Sequence, residues 1–284
     1  MEVRTGPREW AVRGGSIGLE RPVVIGILNF TPDSFSDGGK IEGVADALDA
    51  GLRMREQGAD LLDVGGESSR PGASRVDADE EWSRIGEAVS VLSAAGLPVS
   101  VDTTKSEVAS RALDVGAVAI NDISGLRFDP EIAGLCGRTG AGLVLMHMRG
   151  EPGTMQDDTR YRDLFGEISG SLDRSAALAV ERGVKTEQIV VDPGIGFGKS
   201  MEGNLQIIAQ SGRFCSGRYP VLLGPSRKSF IGKLLNVGVD ERLEGTIAAC
   251  VAGLLAGARL FRVHDVLPVR RALDLAWAVH QADR

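Results

Sequence analysis

Residues 189–199 read IVVDPGIGFGK. Ile189, Val190 and Val191 are β-branched and apolar in succession, the mark of a strand buried on both faces. That strand ends in Asp192. A carboxylate at the end of a buried strand needs hydrogen-bonding partners, because stranding its charge there costs several kcal/mol. Gly194, Gly196 and Gly198 then let the chain turn sharply and come close to a ligand.

The same apolar run with a polar end recurs along the chain. It is seen in VVIGILNF (23–30), LLDVGGE (61–67), PVSVDTT (98–104), VAINDISG (118–125), GLVLMHM (142–148), YPVLLGPS (219–226) and LFRVHDV (260–266). Amphipathic stretches of helical period separate these runs, several of them ending in Gly, as helices often do. Eight such units over about 260 residues predict a (β/α)8 TIM barrel, with parallel strands inside and helices outside. A doubly wound open sheet is the alternative arrangement of the same elements. No linker or low-complexity segment interrupts the series, so a single domain is expected, with the barrel over 23–282. Residues 1–22 hold two short alternating runs about Gly14 and Gly15, which predict a β-hairpin over the N-terminal mouth of the barrel.

Composition narrows the function. Apolar residues make up 43%, enough for a large core, and no apolar run approaches the roughly 18 residues of a membrane span. The first twenty residues carry charges throughout and lack a signal-peptide core. Three widely spaced cysteines form neither a disulfide framework nor a zinc motif. A soluble, reduced, cytoplasmic protein is the simplest expectation. A net charge of −7 without a basic tract argues against nucleic acid and anionic membrane as partners.

In TIM barrels the active site lies at the C-terminal ends of the strands. Those ends carry Asn29; Asp63 and Glu67; Asp102; Asn121 and Asp122; Met146 and His147; Asp192; Ser226, Arg227 and Lys228; Arg262 and His264. Polar groups at all eight ends converge on one mouth. Asp102, Asn121 and Asp192 suit a flat heterocycle rich in N–H groups, whereas Lys228, Arg262 and His264 suit phosphate. Asp63 and Glu67 are placed to brace the site from behind, and Lys199 either to bind substrate or to face solvent. Long Gly/Pro-rich loops follow the first two strands, TPDSFSDGGK (31–40) and GESSRPGASRVDAD (66–79). Their length suggests lids. PGIGFGKS ends like a phosphate-binding P-loop, yet Pro193 stands where that motif requires its first glycine.

ILNFTPDSFSDGG, DVGGESSRPGA, VDTTK, INDISG, LMHMRGEPGTMQ, VDPGIGFGK, GPSRKSFIGK and FRVHDV, taken in order, resemble dihydropteroate synthase from about residue 22 to 268. The resemblance implies condensation of 6-hydroxymethyl-7,8-dihydropterin diphosphate with 4-aminobenzoate, giving 7,8-dihydropteroate and diphosphate. It further implies dissociative loss of diphosphate, Mg²⁺ as cofactor, a homodimer and sulfonamide sensitivity of the family. On this resemblance Asp102, Asn121, Asp192 and Lys228 hold the pterin, Met146 is a further substrate-binding residue, and Asn29 holds Mg²⁺. Ser69, Arg262 and His264 grip the diphosphate. Thr31, Pro32, Phe35, Arg70, Pro71, Phe197, Ser226 and Lys228 form the aminobenzoate pocket. Asp102, Asp192, Lys228 and Arg70 are the residues that the resemblance implicates in catalysis. A pterin-dependent methyltransferase domain shares the barrel but lacks the two loops and the SRK and RVH segments. A non-catalytic pterin-binding paralogue is the other alternative.

Overall fold

A computed structural model describes residues 7–31, 44–69, 72–214 and 217–282. A hairpin of β1 (Glu9–Val12) and β2 (Gly15–Gly18) precedes the barrel strands. These are β3 (Val23–Asn29), β4 (Leu61–Gly65), β5 (Val99–Asp102), β6 (Ala119–Asp122), β7 (Gly142–Met146), β8 (Ile189–Asp192), β9 (Leu222–Leu223) and β10 (Leu260–Val263). All neighbours are parallel, in the order β8-β7-β6-β5-β4-β3-β10-β9. The ring is drawn together where Val191 bridges Val221 and its N–H donates to Pro220 O at 3.0 Å. The barrel expected from the eight repeated units is therefore observed.

The helices are α1 (Val44–Glu56), α2 (Ala78–Ala94), α3 (Ser106–Asp114), α4 (Glu131–Thr139), α5 (Leu164–Glu181), α6 (Met201–Ala209), α7 (Ser229–Leu235), α8 (Leu243–Leu255) and α9 (Val266–Ala282). Their starts follow from local chemistry. Asp77, Asp163 and Ser200 each accept a backbone N–H of the first turn of α2, α5 and α6.

Two details differ from expectation. The seventh barrel strand shrinks to Leu222–Leu223, because Pro220 and Pro225 flank it and proline brings no N–H to a ladder. The short helix α7 after it was not expected; with Lys228 at its N-cap and no side-chain cap bond, it announces itself weakly.

Along each strand the side chains alternate. Val24 and Leu28 face the helices in the main core, whereas Val23 and Ile25 join an inner cluster with Leu61, Ala119, Val144, Val190, Leu222 and Leu260. Trp10 completes that inner cluster from the hairpin. Its ring lies so close to Gly142 that a Cβ there would meet it at 2.7 Å, and its indole N–H donates to Gln188 O at 2.8 Å. The hairpin thus plugs the N-terminal mouth, as expected.

Candidate active site

Moving two residues along each strand keeps a side chain inside the barrel. From the apolar inner layer that step leads from Leu61 to Asp63, Ala119 to Asn121, Val144 to Met146, Val190 to Asp192 and Leu260 to Arg262. The interior therefore changes from apolar to polar across one step, at the C-terminal mouth. Register aligns the groups further: Asn29 pairs with Gly65, Gly65 with Asp102, Asp102 with Asn121, and Met146 with Asp192.

Asp63 is the hub of this layer and is 1% exposed. It accepts hydrogen bonds from Ser100 Oγ, Asn121 Nδ2 (3.1 Å) and Arg262 Nε. Arg262 Nη2 also donates to Asp102 Oδ2 at 2.9 Å. The guanidinium thus lies between two carboxylates and retains three of its five N–H donors. Burial opposes its charge, but Asp63 and Asp102 outweigh burial and hold its pKa above the ordinary value. Burial raises the pKa of Asp102, and Arg262 works against that rise.

Asp192 sits across the mouth. Burial pushes it up to about 6, opposed by the Gly194 N–H, which donates to Oδ1 at 2.7 Å, and by Lys199, Lys228 and Arg262. Lys228 Nζ stands over the Phe197 ring, 4.1 Å from its centroid, a cation–π contact. Phe197 packs with Met146, Met148 and Met155 in a small cluster at this end of the barrel. Ser226 Oγ lies 2.9 Å from His264 Nδ1 and accepts the His264 N–H at 3.2 Å. Burial, followed by Arg262 and Arg227, lowers His264 to about 3. The imidazole is therefore neutral at ordinary pH and offers a hydrogen bond rather than a charge. Thr31 is buried just past β3, and Ser69 lines a small cleft with Asp102, Glu67, Arg75 and Phe128.

Several strand-end residues turn away from the mouth. Asp122 caps its own turn, accepting from Ser124 N at 2.8 Å and Leu126 N at 2.6 Å. Arg227 makes a bidentate pair with Asp265 at 2.7 and 3.0 Å. His147 faces Lys199, whose Nζ lies 2.9 Å from Nδ1. Lys199 itself is 3% exposed and bonded to backbone carbonyls, so it neither faces solvent nor reaches into the mouth as a free cation. Glu67 accepts from Lys105 Nζ, which also meets the buried Glu81. Lys105 and Ser100 escaped the sequence reading, although Ser100 stands two residues before Asp102 on the same face. Pro32, Phe35, Arg70 and Pro71 lie outside the described residues.

Comparison with known proteins identifies the family of the chain. The sequence profile of a family described as "Pterin binding enzyme" matches residues 25–264. A protein from Synechocystis named dihydropteroate synthase is 45% identical, over 92% of this chain and 91% of that one. The crystal structure of Yersinia pestis dihydropteroate synthase in a sulfonamide complex superposes with a TM-score of 0.92 at 39% identity, over 96% of this chain and 99% of that one. Burkholderia cenocepacia dihydropteroate synthase complexed with 7,8-dihydropteroate gives 0.88 at 39% identity, over 98% of this chain and 99% of that one. The chain belongs to the pterin-binding enzyme family and, within it, to the dihydropteroate synthases.

Proposed function

We propose that this chain condenses 6-hydroxymethyl-7,8-dihydropterin diphosphate with 4-aminobenzoate, releasing diphosphate and forming 7,8-dihydropteroate. The observation that carries this reading is the polar layer at the mouth, where Asp102, Asn121 and Asp192 meet Lys228 and Arg262 inside one barrel. Two carboxylates and an amide match the N–H-rich edge of a pterin, with Met146 in the same layer to pack against its face. Ionised Asp192 accepts two N–H groups, which a protonated carboxyl does not do. The cations match the diphosphate end. Arg262 contributes its three remaining donors, His264 a neutral N–H, and Ser69 a hydroxyl at the neighbouring cleft.

The chemistry is dissociative. The bond between the pterin methylene carbon and the diphosphate oxygen breaks, with its electron pair leaving on the diphosphate. The buried carboxylates stabilise the resulting pterin cation, and Lys228 and Arg262 stabilise the leaving group. The aminobenzoate nitrogen then supplies the lone pair for the new C–N bond and loses a proton. Phe197, Lys228, Ser226 and Thr31 bound its pocket.

The residues present fit Mg²⁺ as the cofactor. Among the described residues no group of three His, Cys, Asp or Glu side chains is arranged to hold a metal. Asn29 Oδ1 lies 3.3 Å from the point a Cβ on Gly65 would occupy, so the absence of a side chain there leaves one hard, neutral oxygen in the mouth. A single protein oxygen suits Mg²⁺, which takes its other ligands from water and substrate phosphates. Bound there, it would neutralise charge on the departing diphosphate. Homodimerisation is part of the same reading; exposed Leu234, Leu235 and Leu255 on α7 and α8 support it. So is a cytoplasmic location, with no helix of the described residues long and apolar enough to cross a membrane.

The test is product identification by mass spectrometry after incubation with both substrates and Mg²⁺. Formation of 7,8-dihydropteroate that stops on chelation supports the proposal. Thermal stabilisation by a pterin without product would leave a non-catalytic binding protein.

A further inference from the structure

Lys199 takes no part in the chemistry described so far, yet it is a lysine buried beside the site. An ammonium carries three N–H donors and no acceptor. Three acceptors surround this one: His147 Nδ1 at 2.9 Å, His147 O at 3.1 Å and Phe197 O at 2.9 Å. Donation to Nδ1 requires a lone pair there and places the imidazole proton on Nε2. Burial, then Lys199, lowers His147 to about 2, so the ring is an acceptor for Lys199 at all ordinary pH. Burial likewise drives the Lys199 pKa well below its usual value, while Asp192 draws it back up.

The acceptors share a location. The His147 N–H donates to Asp192 O at 2.9 Å, so the residue that receives Lys199 also holds the backbone of Asp192. Gly194, whose N–H donates to the Asp192 carboxylate, packs so tightly that a Cβ on it would fall 2.0 Å from His147 O and 3.1 Å from Lys199 Nζ. Phe197, the third partner, carries the ring on which Lys228 rests. One buried side chain therefore ties the end of β7, the turn after β8 and the Phe197–Lys228 pair together.

We propose that Lys199 is a positioning residue of the reaction: its three hydrogen bonds lock the 192–197 turn against β7, and so fix Asp192 and Phe197 where the pterin and aminobenzoate bind. This rests on the roles given to Asp192 and Phe197 under the proposed function. Lys199 touches neither substrate and acts only through those two residues.

The test is Lys199→Met, which keeps the length and apolar stem of the side chain and removes all three bonds. The KM values for the pterin diphosphate and for aminobenzoate are expected to rise about tenfold or more, with a smaller fall in kcat, in protein folded by circular dichroism. A lysine that served only the fold would lower Tm and leave both KM values of the folded enzyme unchanged, which would overturn the proposal. Should the variant not fold, the unaltered protein supplies the second measurement. It has three histidines, so a long-range ¹H–¹⁵N spectrum of the imidazoles can resolve the His147 tautomer. A ring fixed in one tautomer supports the lock by Lys199; a ring that exchanges between both tautomers, as an imidazole without a fixed partner does, overturns it. Asp192→Asn separates the two layers of the argument. If it leaves pterin binding intact, the site assignment fails and takes this inference with it. If it weakens binding while Lys199→Met does not, only the role of Lys199 falls.

Discussion

Asp63→Asn is the most informative single change in the mouth. Asp63 accepts from Ser100, Asn121 and Arg262, and only the last of these donors is charged. The amide keeps the shape and one acceptor oxygen, and the Ser100 hydroxyl can turn to accept from the new NH2. What is lost is the charge on one side of Arg262. A hydrogen bond to a charged partner contributes about 1.5–3 kcal/mol and a neutral one about 0.5–1.5. The weaker bonds from Ser100 and Asn121 are offset by no longer burying a carboxylate charge, so the net cost, set by the Arg262 bond, is roughly 1–2 kcal/mol. That corresponds to a fall in Tm of about 2–8 °C for a chain of this size class. Arg262 is left with Asp102 alone, which competes more strongly with the pterin for that carboxylate. The same energy charged against pterin binding raises its KM about 5–30-fold. Arg262→Met is the contrasting case, because it leaves the buried Asp63 and the partly buried Asp102 without their shared cation and costs about 3–5 kcal/mol. Calorimetric melting and steady-state kinetics on both variants give the comparison. An Asp63→Asn enzyme with unchanged KM and Tm, or one less stable than Arg262→Met, would refute the reasoning.

Other consequences follow from single contacts. Trp10→Ala empties the N-terminal plug and should cost about 3–5 kcal/mol of stability, while kcat/KM of the folded enzyme stays at the parent level; a selective loss of kcat/KM would contradict the separation of the two mouths. Gly194→Ala puts a methyl 2.0 Å from His147 O at a residue with φ +74°, whereas Gly14→Ala, at φ +79°, meets nothing within 4 Å. The first should abolish activity or folding, and the second should cost only about 1–2 kcal/mol in melting experiments. Asp122 is held at about 6 by burial, so between pH 4 and 6 the native state keeps a proton that the unfolded chain has released. Stability from this group is therefore present at low pH and lost as pH rises through 6. Asp122→Asn removes that falling component, and urea denaturation should show stability rising with pH more steeply than in the parent, by up to about 1.4 kcal/mol per pH unit. Parallel profiles would contradict the burial argument.

The barrel was legible because eight apolar runs end in polar residues, a pattern that strand burial and barrel geometry both impose. Parity within the strands was the signal left unused. Asn121 and Asp122 are adjacent, as are Met146 and His147, so one of each pair must face outward; the inner layer through Ala119 and Val144 decides which. Ser100 and Asp102 share a face by the same rule, which makes Ser100 a partner of Asp63. The fate of Arg227 was not legible, because the turn after β9 has no fixed period and Asp265 captures it from the loop between β10 and α9. Nor was Lys199: burial of a lysine depends on three acceptors brought together by β7 and the loop after β8, and no local spacing encodes that. The short α7 lacked a cap signal, and proline shortened β9 at both ends.

The most direct test of the central claim is pyrophosphate release from the dihydropterin diphosphate with Mg²⁺, measured with and without 4-aminobenzoate. The arrangement of the mouth predicts release that depends on aminobenzoate and is lost in folded Asp192→Asn and Lys228→Ala enzymes. Full release by those variants, or none by the parent chain despite calorimetric binding of the pterin, would contradict it.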